Sequence, residues 1–176
     1  MTEDRTAGGG GRVEALLVAG TAGESMRSLP SVRTVDGRGL EGDRYLRRSG
    51  HWSGHRWEPI TLVSVEALEY VSHILGRPVG PAAARRNVVT QGVSLETLVG
   101  RGFRVGDVVL RGTRLCDPCR YLEELTGIGG LKEALKGRGG LRAVIVEDGT
   151  IRLNDAVVPL EVSTTTDVVD SRPADR

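Results

Sequence analysis

Short apolar runs separated by glycine dominate the chain and leave little choice of architecture. They cover residues 13–19, 60–63, 88–90, 103–105, 108–110, 143–146 and 151–153. Each is of strand length and rich in valine, leucine or isoleucine, the pattern of β-strands bounded by turns. Only one long segment has helical spacing: Ser64 is placed to cap it, Val65, Leu68, Val71, Ile74 and Leu75 share a face, and Gly76 with Pro78 ends it. Shorter helices are expected over 94–99, 118–126 and 131–136. Many strands, few helices and no regular alternation between them predict a mostly β, barrel-like fold with a few short α-helices. The 25 glycines suit the bulges and corners of a small closed barrel. Glu147-Asp148-Gly149-Thr150 sets an Asp-Gly pair between two runs and predicts a β-hairpin.

A chain of 176 residues has room for one ordinary domain. We place it at 12–162, between polar tails at 1–11 and 163–176. A net charge of +1 supplies no overall field for nucleic acid or an anionic membrane, so neither is an expected partner. Two Trp, three Tyr and one Phe leave few platforms for stacking bases. No apolar run approaches the roughly 18 residues that span a bilayer, and the first residues lack the pattern of a signal peptide. The expected location is cytoplasmic.

Both cysteines lie in Cys116-Asp117-Pro118-Cys119, between a strand run and a helical one. In a reducing compartment such a pair is chemical rather than a staple. Asp117 suits an N-cap, Pro118 the first helical position and Gly127 the end, which places Cys119 in the first turn, where free N–H groups and the helix dipole favour a thiolate. A thiolate so placed can ligate a soft metal, attack an electrophile or carry a sulfane sulfur; a buried or merely redox-active pair is the alternative. The stretch 39–57 is rich in glycine and charge. From Arg27 to Trp57 seven arginines face three acids, Asp36, Glu41 and Asp43, which suits a small anion if the loop is not simply solvated. Arg85-Arg86-Asn87 opens a strand with two guanidinium forks and an amide, a phosphate-binding set or else ordinary surface arginines. His51-x3-His55 and Cys116-x2-Cys119 each have the spacing of a zinc half-site, so a structural zinc is a further alternative.

Together, Gly39-Leu40-Glu41-Gly42-Asp43-Arg44-Tyr45, Thr61-Leu62-Val63-Ser64, Arg85-Arg86-Asn87-Val88-Val89-Thr90-Gln91-Gly92, Phe103-Arg104-Val105-Gly106, Cys116-Asp117-Pro118-Cys119 and Gly140-Leu141-Arg142-Ala143 resemble, in order and spacing, the MOSC family, named for the C-terminal domain of molybdenum-cofactor sulfurases. The resemblance covers about 13–160. It implies a barrel-like domain whose cleft cysteine handles sulfur or molybdenum, and Cys119 falls at that cysteine. It assigns Arg85, Arg86 and Asn87 to the phosphate of the molybdenum cofactor (molybdopterin), with Thr90, Arg120, Asp43 and Arg44 as further binding residues. Cys119 would be the metal ligand or sulfur carrier, and Cys116 would resolve a persulfide or disulfide on it. Some relatives help to place sulfur on the cofactor and others reduce N-hydroxylated compounds. With only the MOSC portion and no pyridoxal phosphate site, the chain is expected to need a cysteine desulfurase or an electron-donor protein. A molybdoenzyme or a metal–sulfur cluster is then the acceptor of any carried sulfur. A non-catalytic adaptor is the reading outside this class.

Overall fold

The computed structural model describes residues 10–48 and 57–161. Ten strands run in chain order: β1 (Gly11–Val18), β2 (Arg27–Leu29), β3 (Ser31–Arg33), β4 (Ile60–Ser64), β5 (Val88–Gln91), β6 (Gly102–Val105), β7 (Val108–Leu115), β8 (Leu141–Glu147), β9 (Thr150–Arg152) and β10 (Ala156–Pro159). Seven of them close a barrel in the order β1-β5-β4-β8-β7-β6-β10, and β10 returns to β1 through Gly11↔Val157 and Arg12↔Ala156. Closure removes the free edges an open sheet would present. The expected mostly β, barrel-like fold is therefore the observed one. All barrel pairs are antiparallel except β4–β5, in which Leu62↔Val88 and Val63↔Val89 run in register side by side. A parallel pair needs a long crossover. Here that crossover carries the helices α1 (Val65–Leu75) and α2 (Pro81–Ala84). The two remaining helices are α3 (Arg120–Thr126) and α4 (Leu131–Ala134), and residues 95–98 form a single 3-10 turn.

Two apolar clusters explain why β1, β4 and β5 read as nearly continuous hydrophobic runs. Val13, Leu16, Ile60, Leu62, Val88, Phe103, Leu110 and Leu141 fill the barrel. Leu17, Val63 and Val89 point outward beneath Leu68, Val71, Leu122, Leu131 and Leu135 of the helical layer. Strands buried on both faces lose the alternation that a half-exposed strand shows. A bulge between Val13 and Ala15 shifts the β1 register, which lets Val13 and Leu16, three apart, both face inward.

The long helix forms as its sequence requires. Ser64 Oγ accepts from Ala67 N at 3.1 Å, and Gly76 ends the helix at φ 61°. Its buried face differs from the expected one: Ala67, Leu68 and Val71 are covered, whereas Ile74 is exposed. The expected hairpin at Asp148-Gly149 does not form. Strand β8 pairs with β7 and β4, and β9 pairs with β3 instead. The turn residues are drawn to the β3 side: Gly37 N donates to both Asp148 carboxylate oxygens, Thr34 N donates to Gly149 O, and Gly149 N donates to Thr34 Oγ1.

Candidate functional site

At one end of the barrel, four arginines and one half-buried thiol line a single cleft. The ends of β1 and β7 and the starts of β5 and β8 meet there, with α3 as a wall. Ala22, Gly23, Arg44, Tyr45, Arg85, Arg86, Asp117, Cys119, Tyr121, Leu122 and Arg142 surround about 490 Å³ of empty space that opens to solvent.

Asp43 is the foundation of this wall. Its carboxylate is fully buried and accepts from Ala19 N, Tyr45 N and Arg44 Nη1, each at 3.1 Å. This ties the 39–48 segment to the end of β1 and fixes the Arg44 guanidinium. Arg44, itself 4% exposed, also donates Nη2 to Arg85 O at 3.2 Å and lies 4.6 Å over the Tyr45 ring. Arg85 sits at the end of α2 with φ 54° and donates Nη1 to Glu24 O at 2.7 Å. Burial, followed by repulsion from Arg44, pushes the Arg85 guanidinium below its ordinary value. Arg86 is held by carbonyls of the opposite wall, Nε to Gly139 O at 2.9 Å and Nη2 to Cys116 O at 3.3 Å. Arg142 enters from β8. Burial opposes its charge, but the influence of Cys116, Tyr45 and Glu58 outweighs it and raises its pKa.

Cys119 lies in the cleft as the N-cap of α3, at φ −123°, and its side chain makes no capping bond. The expected cap at Asp117, with Pro118 as the first helical residue, is thus two residues too early: both belong to the segment before the helix. Asp117 instead faces the cleft. Gly127 ends α3 as expected, at φ 65°.

The structure gathers Cys119, Arg44, Arg85 and Arg86 into the cleft and places Asp43 beneath them. Cys116 is buried behind the wall at 1% exposure, its N–H bonded to Gly140 O. Asn87 is fully buried away from the cleft. Its Oδ1 accepts from Thr61 N and Oγ1, and its Nδ2 donates to Leu17 O, so the side chain joins strands. Thr90 is fully buried on β5, outside the cleft, with no partner for Oγ1 among the described residues. Arg120 turns to solvent and pairs with Glu124. His51 and His55 lie outside the described residues, and among those described no cluster of three metal-ligating side chains occurs. Tyr45, Arg142, Asp117 and Tyr121 were missed as site residues. Arg142 had a readable signal, a cation opening the otherwise apolar run at 141–146.

The charge balance specifies the chemistry. Four guanidinium groups line the cleft against one lining carboxylate, Asp117, because Asp43 is already committed to Arg44. An excess of cations beside an accessible thiol fits an anionic ligand that also offers a thiophilic centre. Behind the site, Glu58 pairs with Arg114 at 2.8 Å. Burial opposes its ionisation, but hydrogen bonds from Thr113 and Arg114 and the charges of Arg114 and Arg142 leave its pKa lowered. A lowered folded-state pKa stabilises the fold above the ordinary glutamate value and is lost as pH falls through the lowered one. Acid titration of Glu58→Gln should therefore show a shallower loss of stability than wild type below about pH 4.5, read from urea midpoints.

A family model for the MOSC domain matches residues 49–158. Among solved structures, YuaD protein from Bacillus subtilis superposes with a TM-score of 0.71 at 18% identity, covering 84% of this chain and 94% of that one. YiiM from Geobacillus stearothermophilus gives 0.67 at 14% identity, covering 86% and 75%. YiiM from Escherichia coli gives 0.64 at 17% identity, covering 86% and 70%. No curated protein matches the chain. Among the described residues no helix is long and apolar enough to cross a membrane.

Proposed function

The chain belongs to the MOSC domain family, and from that membership we propose that its cleft binds the molybdenum cofactor, with Cys119 as the sulfur ligand to the metal. One observation supports this above the others: the half-buried thiol opens among four guanidinium groups. A persulfide adds about one negative charge and would need one cation nearby. A phosphate-bearing cofactor brings more charge and bidentate acceptors, the demand that several arginine forks meet.

Arg85 and Arg86 would hold the phosphate, Arg44 and Arg142 would neutralise the remaining charge, and Asp43 keeps Arg44 aimed at it. Cys119 must shed its thiol proton to ligate a metal. When bound, the cofactor supplies two-electron oxygen-atom or sulfur chemistry. Turnover on that basis uses an electron-donor protein. Loading with sulfur instead uses a cysteine desulfurase, with Cys119 passing the sulfur to a molybdoenzyme or metal–sulfur acceptor.

The test is elemental and pterin analysis of protein produced with ample molybdate. Wild type should retain molybdenum and pterin in equal amounts. Cys119→Ser should lose molybdenum by more than about 100-fold, the upper range for changes that only orient a ligand, while Cys116→Ser should keep it. Cyanide-labile sulfur on Cys119 without molybdenum would replace this reading by sulfur carriage. Neither labile sulfur nor molybdenum would overturn both.

A further inference from the structure

We propose that a groove between α1 and residues 92–96 binds an apolar amino acid or the C-terminal end of a peptide, its carboxylate on Arg138 and its N–H donors on Glu66 and Glu96. The groove encloses about 820 Å³ of empty space that opens to solvent, and Glu66, Ala67, Tyr70, Val93, Glu96 and Arg138 are among its lining residues. It shares no lining residue with the cysteine cleft, so this site is independent of the function read from that cleft.

Arg138 is a cation without a counter-charge. Its guanidinium stacks 3.6 Å from the centre of the Tyr70 ring, and its Nε is buried with no hydrogen-bond partner among the described residues. Two carboxylates line the same groove, yet neither forms an ion pair with it. Both are engaged elsewhere: Glu66 Oε1 accepts from Gly92 N at 2.7 Å, and Glu96 Oε2 accepts from Ser94 Oγ at 2.9 Å. The guanidinium is thus pinned by its face, and its Nε is desolvated without compensation. Having five donors and no acceptor, it calls for a carboxylate or a phosphate at its terminal nitrogens. The glutamates decide between these. Phosphate, with up to two negative charges, would meet two like charges. A monocarboxylate that also bears an ammonium or amide N–H can place that donor on the second oxygen of Glu66 or Glu96. Ala67, Val93 and the half-exposed Tyr70 give the groove an apolar lining, which suits an aliphatic side chain. A free amino acid and a peptide end share all three features, and the experiment separates them.

The experiment is an NMR titration of isotope-labelled protein with leucine, with glycylleucine and with isocaproate, which is leucine without its amino group. Leucine or glycylleucine should move the Arg138 Nε–H signal and the Gly92 and Val93 amides, saturating at one per chain. Tighter binding of leucine identifies a free amino acid as the ligand, and tighter binding of glycylleucine a peptide end. Arg138→Met should weaken that binding about 10-fold or more, the effect of a hydrogen bond to a charged group, at an unchanged melting temperature. Glu96→Gln should weaken it relative to isocaproate. If neither leucine nor glycylleucine moves these signals, the proposal is overturned. Equal binding by wild type and Arg138→Met overturns it as well, as does isocaproate binding as tightly as the other two. Shifts confined to Arg142 and residues 116–122 would also overturn it, placing the carboxylate in the cysteine cleft and leaving the reading of that cleft intact.

Discussion

Gly140→Ala should cost at least about 4 kcal/mol, in the range reserved for a named structural failure. Gly140 has φ 103°, and a Cβ there would stand 1.8 Å from Leu62 O and 2.9 Å from Leu62 C. Those are backbone atoms of β4, locked between β8 and β5 by Leu62↔Leu141 and Leu62↔Val88, so they cannot swing aside as a side-chain tip could. The strain of a left-handed backbone alone is about 1–3 kcal/mol; the displaced ladder adds the rest. Against a total domain stability of about 5–15 kcal/mol, such a loss leaves the fold marginal. Gly137 provides the control. It too has positive φ, 73°, but nothing lies within 4 Å of its Cβ position, so Gly137→Ala should lose only the strain. Urea unfolding of the two variants checks the difference; equal midpoints would refute it. The cleft should suffer with the fold, because Gly140 O holds Cys116 N at 2.7 Å and Gly139 O holds Arg86.

Asp43→Ala should cost about 3–5 kcal/mol, the range for removing one partner of a buried ion pair. The variant leaves Arg44 charged at 4% exposure and strips acceptors from Ala19 N and Tyr45 N. The effect should have two readouts. Urea denaturation should show the stability loss, and phosphate or cofactor affinity should fall as well, since Arg44 and Tyr45 both lose the group that aims them. Asp43→Asn should fall between wild type and alanine: its amide oxygen can still accept, but its NH2 faces a donor. An alanine variant as stable as wild type would remove Asp43 from its place as the foundation of the cleft.

Much of this was readable before any coordinates. The seven apolar runs correspond to β1, β4, β5, β6, β7, β8 and β9, because β-branched and leucine runs between glycines have few other uses. The long helix showed its cap, its end and, in Leu68 and Val71, part of its buried face. What escaped was decided by neighbours distant in sequence. Strands β2, β3 and β10 are short and mostly exposed, and they exist because another strand offers them an edge. The Asp148-Gly149 turn was read as a hairpin from local chemistry, yet Gly37 and Thr34, more than 100 residues away, claim its hydrogen-bonding groups.

The site divides in the same way. Cys119 stood out as a thiol in a Cys-x2-Cys pair and Arg85-Arg86 as paired guanidinium forks at the start of a strand, while Arg44 was named through the family resemblance. Asn87 was equally conspicuous, but an amide serves an anion and a pair of strands with the same atoms, and only its partners Thr61 and Leu17 distinguish the two. Tyr45 gave the weakest local signal, since it is ordinary in its own segment, whereas Arg142 was legible as a cation opening an apolar run. The order and type of side chains along the chain thus determined the strands, the long helix and the inventory of thiol and guanidinium groups, because period and chemistry are local properties. Barrel closure decided which of those groups share a cleft, because residues 44, 85, 119 and 142 meet only when β1, β5, β7 and β8 end on the same rim.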